Sequence, residues 1–541
     1  MGTPSREKPS GRLFYALLIA LGFYLLYFAG LGSYPLLDPD EPVFGQVAKE
    51  IAAGSGWLTP HYHGQVWFDK PPLFYWLSAA AASLFGPTEL ALRLPSALLA
   101  VALVLLVYAL ASYDFGRRAG IFAAVVMATS LQQIILAHAA VTDMTLAFCL
   151  TGSLYACRRW LDAAGRARFG WITLCGTMAG LGMLAKGPVA PVLLGLTFVI
   201  HLWWSRRLRS LASTDALAGI AVFLIVALPW YVTMYAAHRR SFVEGFLVTN
   251  NVLRFLKPEH AGQTGSWTSY FRNVPVLFLF FFPWSVFLPQ GIARSWKANH
   301  GARLAAVWFA VVFVFFSISK TQLVTYIFPL YPAAAVFVGN LWALSTLKDT
   351  GVERGMRLAA WVAVGISVLA AAALARSAHA KYPEAEWAAF VLGIILVLTT
   401  ASALVWLIRH RGRSAPAVWI VGTGMAALTL WLVYAVMPLA AARASTRDLA
   451  RRALGVPRGR VIGLDVDRPS LLFYLGSRLE RTMDAPAARR ALAGDSPVVV
   501  ICRQSRAADI SQPGCVWYAE ARGLVAVANA SAAHSKGAGR P

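Results

Sequence analysis

The chain has 541 residues, 58% hydrophobic and 14% charged, with mean hydropathy +0.58 and a formal net charge of +24. That balance excludes an ordinary soluble domain. The apolar residues fall in blocks of about 20, the length of a bilayer-spanning helix, so the chain reads as an all-α polytopic membrane protein.

Thirteen spans are predicted, at 13–31, 90–111, 119–137, 143–160, 169–185, 188–204, 216–236, 273–291, 304–319, 323–344, 357–376, 388–408 and 415–437. The first follows Arg6, Lys8 and Arg12 and lacks a cleavage site, so it reads as a signal anchor. Short basic clusters occupy alternate loops: Arg117–Arg118, Arg158–Arg159 with Arg166 and Arg168, Arg206–Arg207 with Arg209, Arg294 with Lys297 and Arg303, Lys348 with Arg354, and Arg409 with Arg411 and Arg413. By the positive-inside rule these loops and the N-terminus face the cytoplasm, and the C-terminus faces the other side. The charge therefore marks topology, not a nucleic-acid surface.

Residues 1–438 then form a transmembrane domain with two large outer loops, 32–89 and 237–272. Glu41–Ala53 and Pro71–Phe85 read as helices lying at the interface. A composition shift opens a small α/β domain at 439–530, with strands at Arg460–Asp467 and Pro497–Cys502 and helices at Thr446–Leu454 and Ala487–Ala493. Residues 531–541 read as a disordered tail. Cys149, Cys157 and Cys175 read as packing residues. Cys502 and Cys515 could pair in an oxidising compartment.

Chemistry concentrates on the outer face. Asp40 and Glu41 stand between Pro39 and Pro42, just past the first span. Charge placed there is costly and marks a working site, although acidic residues also suit the first turn of any helix. Asp69-Lys70-Pro71-Pro72 reads equally as an ion pair at a turn before a helix. Asp143 is a site carboxylate or a helix cap, and Lys186 a phosphate ligand or a snorkelling lysine. Arg239, Arg240, Arg254, Lys257, His260 and Arg272 run against the positive-inside trend and suit a bound phosphate. Lys320 and Tyr326 reach the same face.

As an ordered set these motifs resemble the polyprenyl-phosphate-sugar glycosyltransferases of the GT-C class, which include the protein O-mannosyltransferases and the bacterial aminoarabinose transferases. The likeness rests on Asp40-Glu41, Phe68-Asp-Lys-Pro-Pro-Leu-Phe-Tyr-Trp76, Val141-Thr-Asp-Met144, Gly182-Met-Leu-Ala-Lys-Gly-Pro188, Asn250-Asn-Val-Leu-Arg-Phe255 before His260, Phe282-Pro-Trp284, Thr325-Tyr-Ile-Phe-Pro329 and Pro469-Ser-Leu-Leu-Phe-Tyr474. The aminoarabinose branch usually continues Asp-Glu with Ala-Arg-Tyr, and often has Glu before Lys-Pro. This chain has Pro42-Val-Phe44 and Asp69.

The resemblance implies a multi-pass enzyme of the bacterial inner membrane, with its site and C-terminal domain in the periplasm. The donor would be a sugar on undecaprenyl phosphate. The acceptor would be lipid A, or another periplasmic glycan or a protein. Asp40 would be the central carboxylate, supported by Glu41 and Asp143. Lys70, Lys186, Arg254, Tyr326 and Lys320 would bind the donor phosphate. Asp69 and His260, with His61 or His63 nearby, mark a possible divalent-metal site, and no metal is assigned to catalysis. A flippase or transporter is the alternative from another class. It fits less well, because the polar residues gather at span ends, without paired repeats or broken mid-membrane helices.

Overall fold

The computed structural model describes residues 17–257, 271–347, 349–456, 459–521 and 523–534. Each of the thirteen apolar segments is mostly helical within those residues. Seven helices are long and apolar enough to cross a membrane, or nine if each of two bent pairs is one span. The predicted count of thirteen is thus not reached by length and composition. Helices α1 (Leu17–Phe28) and α9 (Val189–Trp204) are short. Helix α5 (Arg117–Ala128) meets α6 (Leu131–Ala137) at 62°, and Asn273–Phe280 meets Trp284–Ser295 at 111°.

Helices α7 (Asp143–Asp162) and α8 (Gly165–Lys186) are long enough, but carry Gly, Ser and Thr along their length. Those small residues permit close packing. A Cβ on Gly176 of α8 would lie 2.2 Å from the carbonyl oxygen of Gly219 on α10 (Thr214–Phe242). Phe328–Ser345 is the most enclosed span, with 89% of its apolar window buried.

The first outer loop carries α2 (Asp40–Ala52) and α3 (Leu73–Phe85), close to the predicted bounds. Phe44 of α2 packs against Phe74 and Tyr75 of α3, with ring centroids 6.2 and 5.8 Å away. Between the two helices, β1 (His61–Tyr62) and β2 (Gln65–Val66) form a short hairpin.

One buried ion pair fastens this loop to the bundle. Arg93, on α4 (Glu89–Phe115), is fully buried. Its Nε and Nη2 donate to Glu41 Oε1 and Oε2, both at 2.8 Å. Nη1 donates to the carbonyls of Leu31 and Tyr34, and Nη2 to that of Pro35. All five guanidinium N–H groups are thereby used. Glu41 also accepts from the backbone N–H of Leu37 and of Ala140, each at 2.9 Å. Glu41 is thereby held at both carboxylate oxygens and anchors the loop to the bundle.

The C-terminal domain is a five-stranded sheet in the order β4-β3-β5-β7-β6, from β3 (Arg460–Leu464), β4 (Leu479–Thr482), β5 (Val498–Arg503), β6 (Val516–Ala521) and β7 (Leu524–Ala528). Strand β3 runs parallel to β4 and β5, and β7 antiparallel to β5 and β6. Both faces of β5 are buried, Val499 and Ile501 on one and Val498 and Val500 on the other. Of the predicted tail, residues 531–534 are described and are ordered. Ala530–His534 is a helical turn, because Asn529 accepts from the Ala532 N–H and Ala532 joins the core. Cys502 and Cys515 are free thiols.

Replacing Arg93 by Met strands Glu41 as a buried, unpaired charge. Loss of one partner of such a pair costs about 3–5 kcal/mol. The purified protein should melt at a clearly lower temperature. An unchanged Tm would contradict the anchoring role.

Candidate active site

The site forms where helix ends from four parts of the chain converge. Asp143 is the first residue of α7, after Thr142 at the cap. Its carboxylate accepts from Lys186 Nζ, at 2.6 Å. Lys186 is the last residue of α8, and its ammonium lies 4.8 Å from the centre of the Tyr326 ring. Gly187 ends the helix at φ +81°, a conformation only glycine adopts freely. A Cβ there would also meet Phe246 at 3.1 Å and Asn251 at 3.2 Å.

The second loop closes over the first. Helix α10 breaks at Arg239, whose φ of +47° is strained for a non-glycine residue. Beyond the break Phe242 and Phe246 pack back on Trp230 and Tyr231. Phe242 also meets Phe68, and Asn250 Nδ2 donates to the Phe68 carbonyl at 3.1 Å. These contacts fix the residue before Asp69. Asp69 Oδ1 then receives Lys70 Nζ at 2.8 Å and Arg254 Nη1 at 3.3 Å.

Lys70, Lys186 and Arg254 share one cavity of about 340 Å³ with Asp69 and Tyr326. The rest of its wall is largely apolar, including Val189, Val192, Phe255 and Phe315. Asp40, at the start of α2, lies beyond those wall residues and is open to solvent. Its carboxyl is raised above the usual carboxylate range, first by partial desolvation from the protein around it and next by the charge of Asp143. Lys70 and Arg254 oppose that rise and Asp69 adds to it. Solvent reaching Asp40 moderates all of these effects. Lys70 is lowered from the usual amine range, chiefly by burial, against the pull of Asp69.

The structure thus brings together Asp40, Asp69, Lys70, Asp143, Lys186, Arg254 and Tyr326. Lys320 is held through its backbone, donating to the Phe255 carbonyl at 2.9 Å, and is not on the cavity wall. His260 lies outside the described residues. His61 and His63 belong to the β1–β2 hairpin, where the His63 N–H is held by Glu50, and neither lines the cavity. Among the described residues no group of three or more His, Cys, Asp or Glu side chains is placed to hold a metal ion.

Sequence reasoning passed over Arg93, and read Asn250 and Asn251 only as part of a family motif. Arg93 had a legible signal, a lone charge inside an apolar span, which calls for a buried partner. Nothing local marked Asn250 and Asn251 as braces. Asn251 Nδ2 bonds the Phe246 carbonyl at 2.7 Å, within its own loop.

Comparison with known proteins agrees with this geometry. Residues 69–232 match the family described as dolichyl-phosphate-mannose-protein mannosyltransferase. The undecaprenyl phosphate-alpha-4-amino-4-deoxy-L-arabinose arabinosyl transferase of Pseudomonas paraeruginosa is 30% identical over 435 residues, covering 78% of this chain and 75% of the relative. The enzyme of the same description from Pseudomonas aeruginosa is 30% identical over 434 residues, with the same coverage. The crystal structure of ArnT from Cupriavidus metallidurans bound to undecaprenyl phosphate superposes with a TM-score of 0.81 at 24% identity, covering 96% of this chain and 98% of that one. The chain belongs to the aminoarabinose arabinosyl transferase family and is a membrane glycosyltransferase with that fold.

Proposed function

We propose that the protein moves 4-amino-4-deoxy-L-arabinose from undecaprenyl phosphate to lipid A on the periplasmic face of the inner membrane. The observation that carries this reading is the cavity itself: three cations beside an apolar wall. Phosphate suits the cations, and a prenyl chain suits the wall. Topology supports the periplasmic side. Asp143 and Lys186 occupy the ends of α7 and α8 opposite Arg158, Arg159, Arg166 and Arg168, and a 20-residue helix separates its ends by about 30 Å. With the basic end in the cytoplasm, the site faces outward. The full reading has thirteen crossings and a periplasmic domain from 439 to 530.

The reaction is a single inverting displacement. An acceptor oxygen forms a bond to the anomeric carbon. The bond from that carbon to the phosphate oxygen breaks, and its electron pair leaves with undecaprenyl phosphate. Lys186, Arg254 and Lys70 stabilise the charge developing on the leaving phosphate. Tyr326 orients the phosphate or the sugar. With an acceptor hydroxyl, Asp40 takes the proton. With a lipid A phosphate, already anionic, Asp40 stabilises positive charge at the anomeric carbon. Asp143 holds Lys186 in place, as Asp69 holds Lys70 and Arg254. A divalent ion, if the enzyme uses one, would bind at Asp69 with His260; no step is assigned to it.

Three outcomes are expected. Lipid A from a strain lacking its own transferase should gain the mass of the aminosugar when this chain is expressed, and lose it with Asp40→Asn. A mass equal to that of the parent strain would sink the lipid A assignment.

Lys186→Met should lower kcat by about 10²–10³-fold, the usual loss when one donor to a developing anion is removed. Wild-type turnover would remove Lys186 from the mechanism.

The pH profile follows from the shifts on Asp40 and Lys70. Asp40 works ionised and its pKa is raised, so activity should fall with acid at a higher pH than for a free aspartate. Lys70 works charged and its pKa is lowered, so the alkaline limb should begin below that of a free lysine. Asp143→Asn removes a charge that raises Asp40, and should move the acid limb of the residual activity to lower pH. A limb that stays in place would mean another group titrates there.

A further inference from the structure

The C-terminal domain grips the chain immediately before Asp40. Ser470 is fully buried at the start of the helix Pro469–Leu475. Its backbone N–H donates to Asp38 Oδ1 at 2.7 Å and its hydroxyl to Asp38 Oδ2 at 2.8 Å. The Asp38 N–H in turn donates to the Ala444 carbonyl at 3.1 Å. On the same short helix, the Tyr474 hydroxyl accepts from the Leu36 N–H and donates to Glu89 Oε1, both at 2.9 Å. Arg447 also reaches Glu89, at 3.2 Å. Lys49, near the far end of α2, donates to the Phe473 carbonyl at 3.3 Å.

These bonds join residues 358 to 438 positions apart, and four of them converge on residues 36–38. Asp38 stands two residues before Asp40, with Pro39 between. Proline fixes its own φ and restricts the residue before it, so the link from Asp38 to Asp40 has little freedom. On the other side of Asp40, Glu41 is locked by Arg93. Asp40 is therefore braced twice, by the membrane bundle after it and by the soluble domain before it. The second brace is made through a carboxylate that takes both of its partner's donors, a charge-assisted contact of the stronger kind.

We infer that Ser470 is a positioning residue for transfer: through Asp38 and Pro39 it holds the Asp40 carboxylate in register with Lys186 and Arg254. The C-terminal domain is then part of the catalytic apparatus, although no residue of it lines the cavity. This inference rests on the reading that Asp40 acts in transfer.

The test uses the full-length purified enzyme with undecaprenyl-phosphate-linked donor and lipid A. Misplacing a reacting group by 1 Å can cost about 10²-fold. Ser470→Ala and Asp38→Ala should each lower kcat by roughly 10- to 100-fold with the donor KM unchanged. The double variant should be no worse than Asp38→Ala alone, because losing the Asp38 carboxylate already removes both of its bonds to Ser470. Asp38→Asn should recover most of the activity. Its Oδ1 still accepts from the Ser470 N–H, and its amide can donate to the hydroxyl.

Wild-type kcat in both single variants, fully additive losses, or a loss seen in KM alone would each overturn the inference. If Ser470→Ala fails to accumulate, Tyr474→Phe tests the same brace at Leu36 and should show the same fall in kcat; unchanged turnover there counts against it. Asp40→Asn separates the two levels. An active Asp40→Asn enzyme defeats the underlying reading. An inactive one beside a fully active Ser470→Ala enzyme defeats only the brace.

Discussion

The pairing of Arg93 with Glu41 is the constraint on which the rest of the site depends. A guanidinium inside a membrane helix is tolerable only when its donors are filled, and here the carboxylate of the first outer loop fills two of them. The remaining donors bind carbonyls at Leu31, Tyr34 and Pro35. The exit of α1, the start of α2 and the middle of the fold are thereby tied at one point. The Ala140 N–H joins the same carboxylate three residues before Asp143. One buried ion pair thus sets the spacing between the two stretches that carry Asp40 and Asp143.

Around that anchor the site balances its charges. Asp40, Asp69 and Asp143 face Lys70, Lys186 and Arg254, three of each sign. The pairing is unequal. Asp69 receives two cations and Asp143 one, while Asp40 forms no ion pair among the described residues. In the proposed mechanism Asp40 is the carboxylate that meets the substrate, and the other two hold the cations where a phosphate can meet them. Preorganisation of this kind spares the enzyme the cost of reorienting charges as the leaving group departs. The apolar share of the wall strengthens each interaction by excluding water.

Much of this was legible in the order of residues, for physical reasons. Apolar length marked the helical segments, and prolines and acidic residues marked the starts of α2 and α3. Lys186 and Asp143 were legible as charges at span ends on one face. What was not legible was which partner each charge takes. Glu41 looked like half of a catalytic pair because it adjoins Asp40, yet successive helical residues point about 100° apart. Length and composition alone give fewer crossings than thirteen where helices bend or carry small residues and pack against protein. In the C-terminal domain β4, β6 and β7 were missed. Leu479–Thr482 is polar, and Val516–Ala521 is an edge strand paired only with β7.

The segment after Asp40-Glu41 shows how the site differs from the family pattern without losing its chemistry. Where the resemblance leads one to expect Ala-Arg-Tyr, Pro42, Val43 and Phe44 stand here. Phe44 is buried against Phe74 and Tyr75, so the position is filled by packing between α2 and α3, and a hydroxyl there would need a partner. Val43 brings no charge beside Asp40. The positive charge of this site therefore comes from both outer loops and the end of α8, through Lys70, Arg254 and Lys186. A cation moved away from Asp40 lowers its carboxyl less than an adjacent arginine would. Burial, Asp143 and Asp69 raise Asp40 while Lys70 and Arg254 oppose them, and Val43 adds nothing to that opposition.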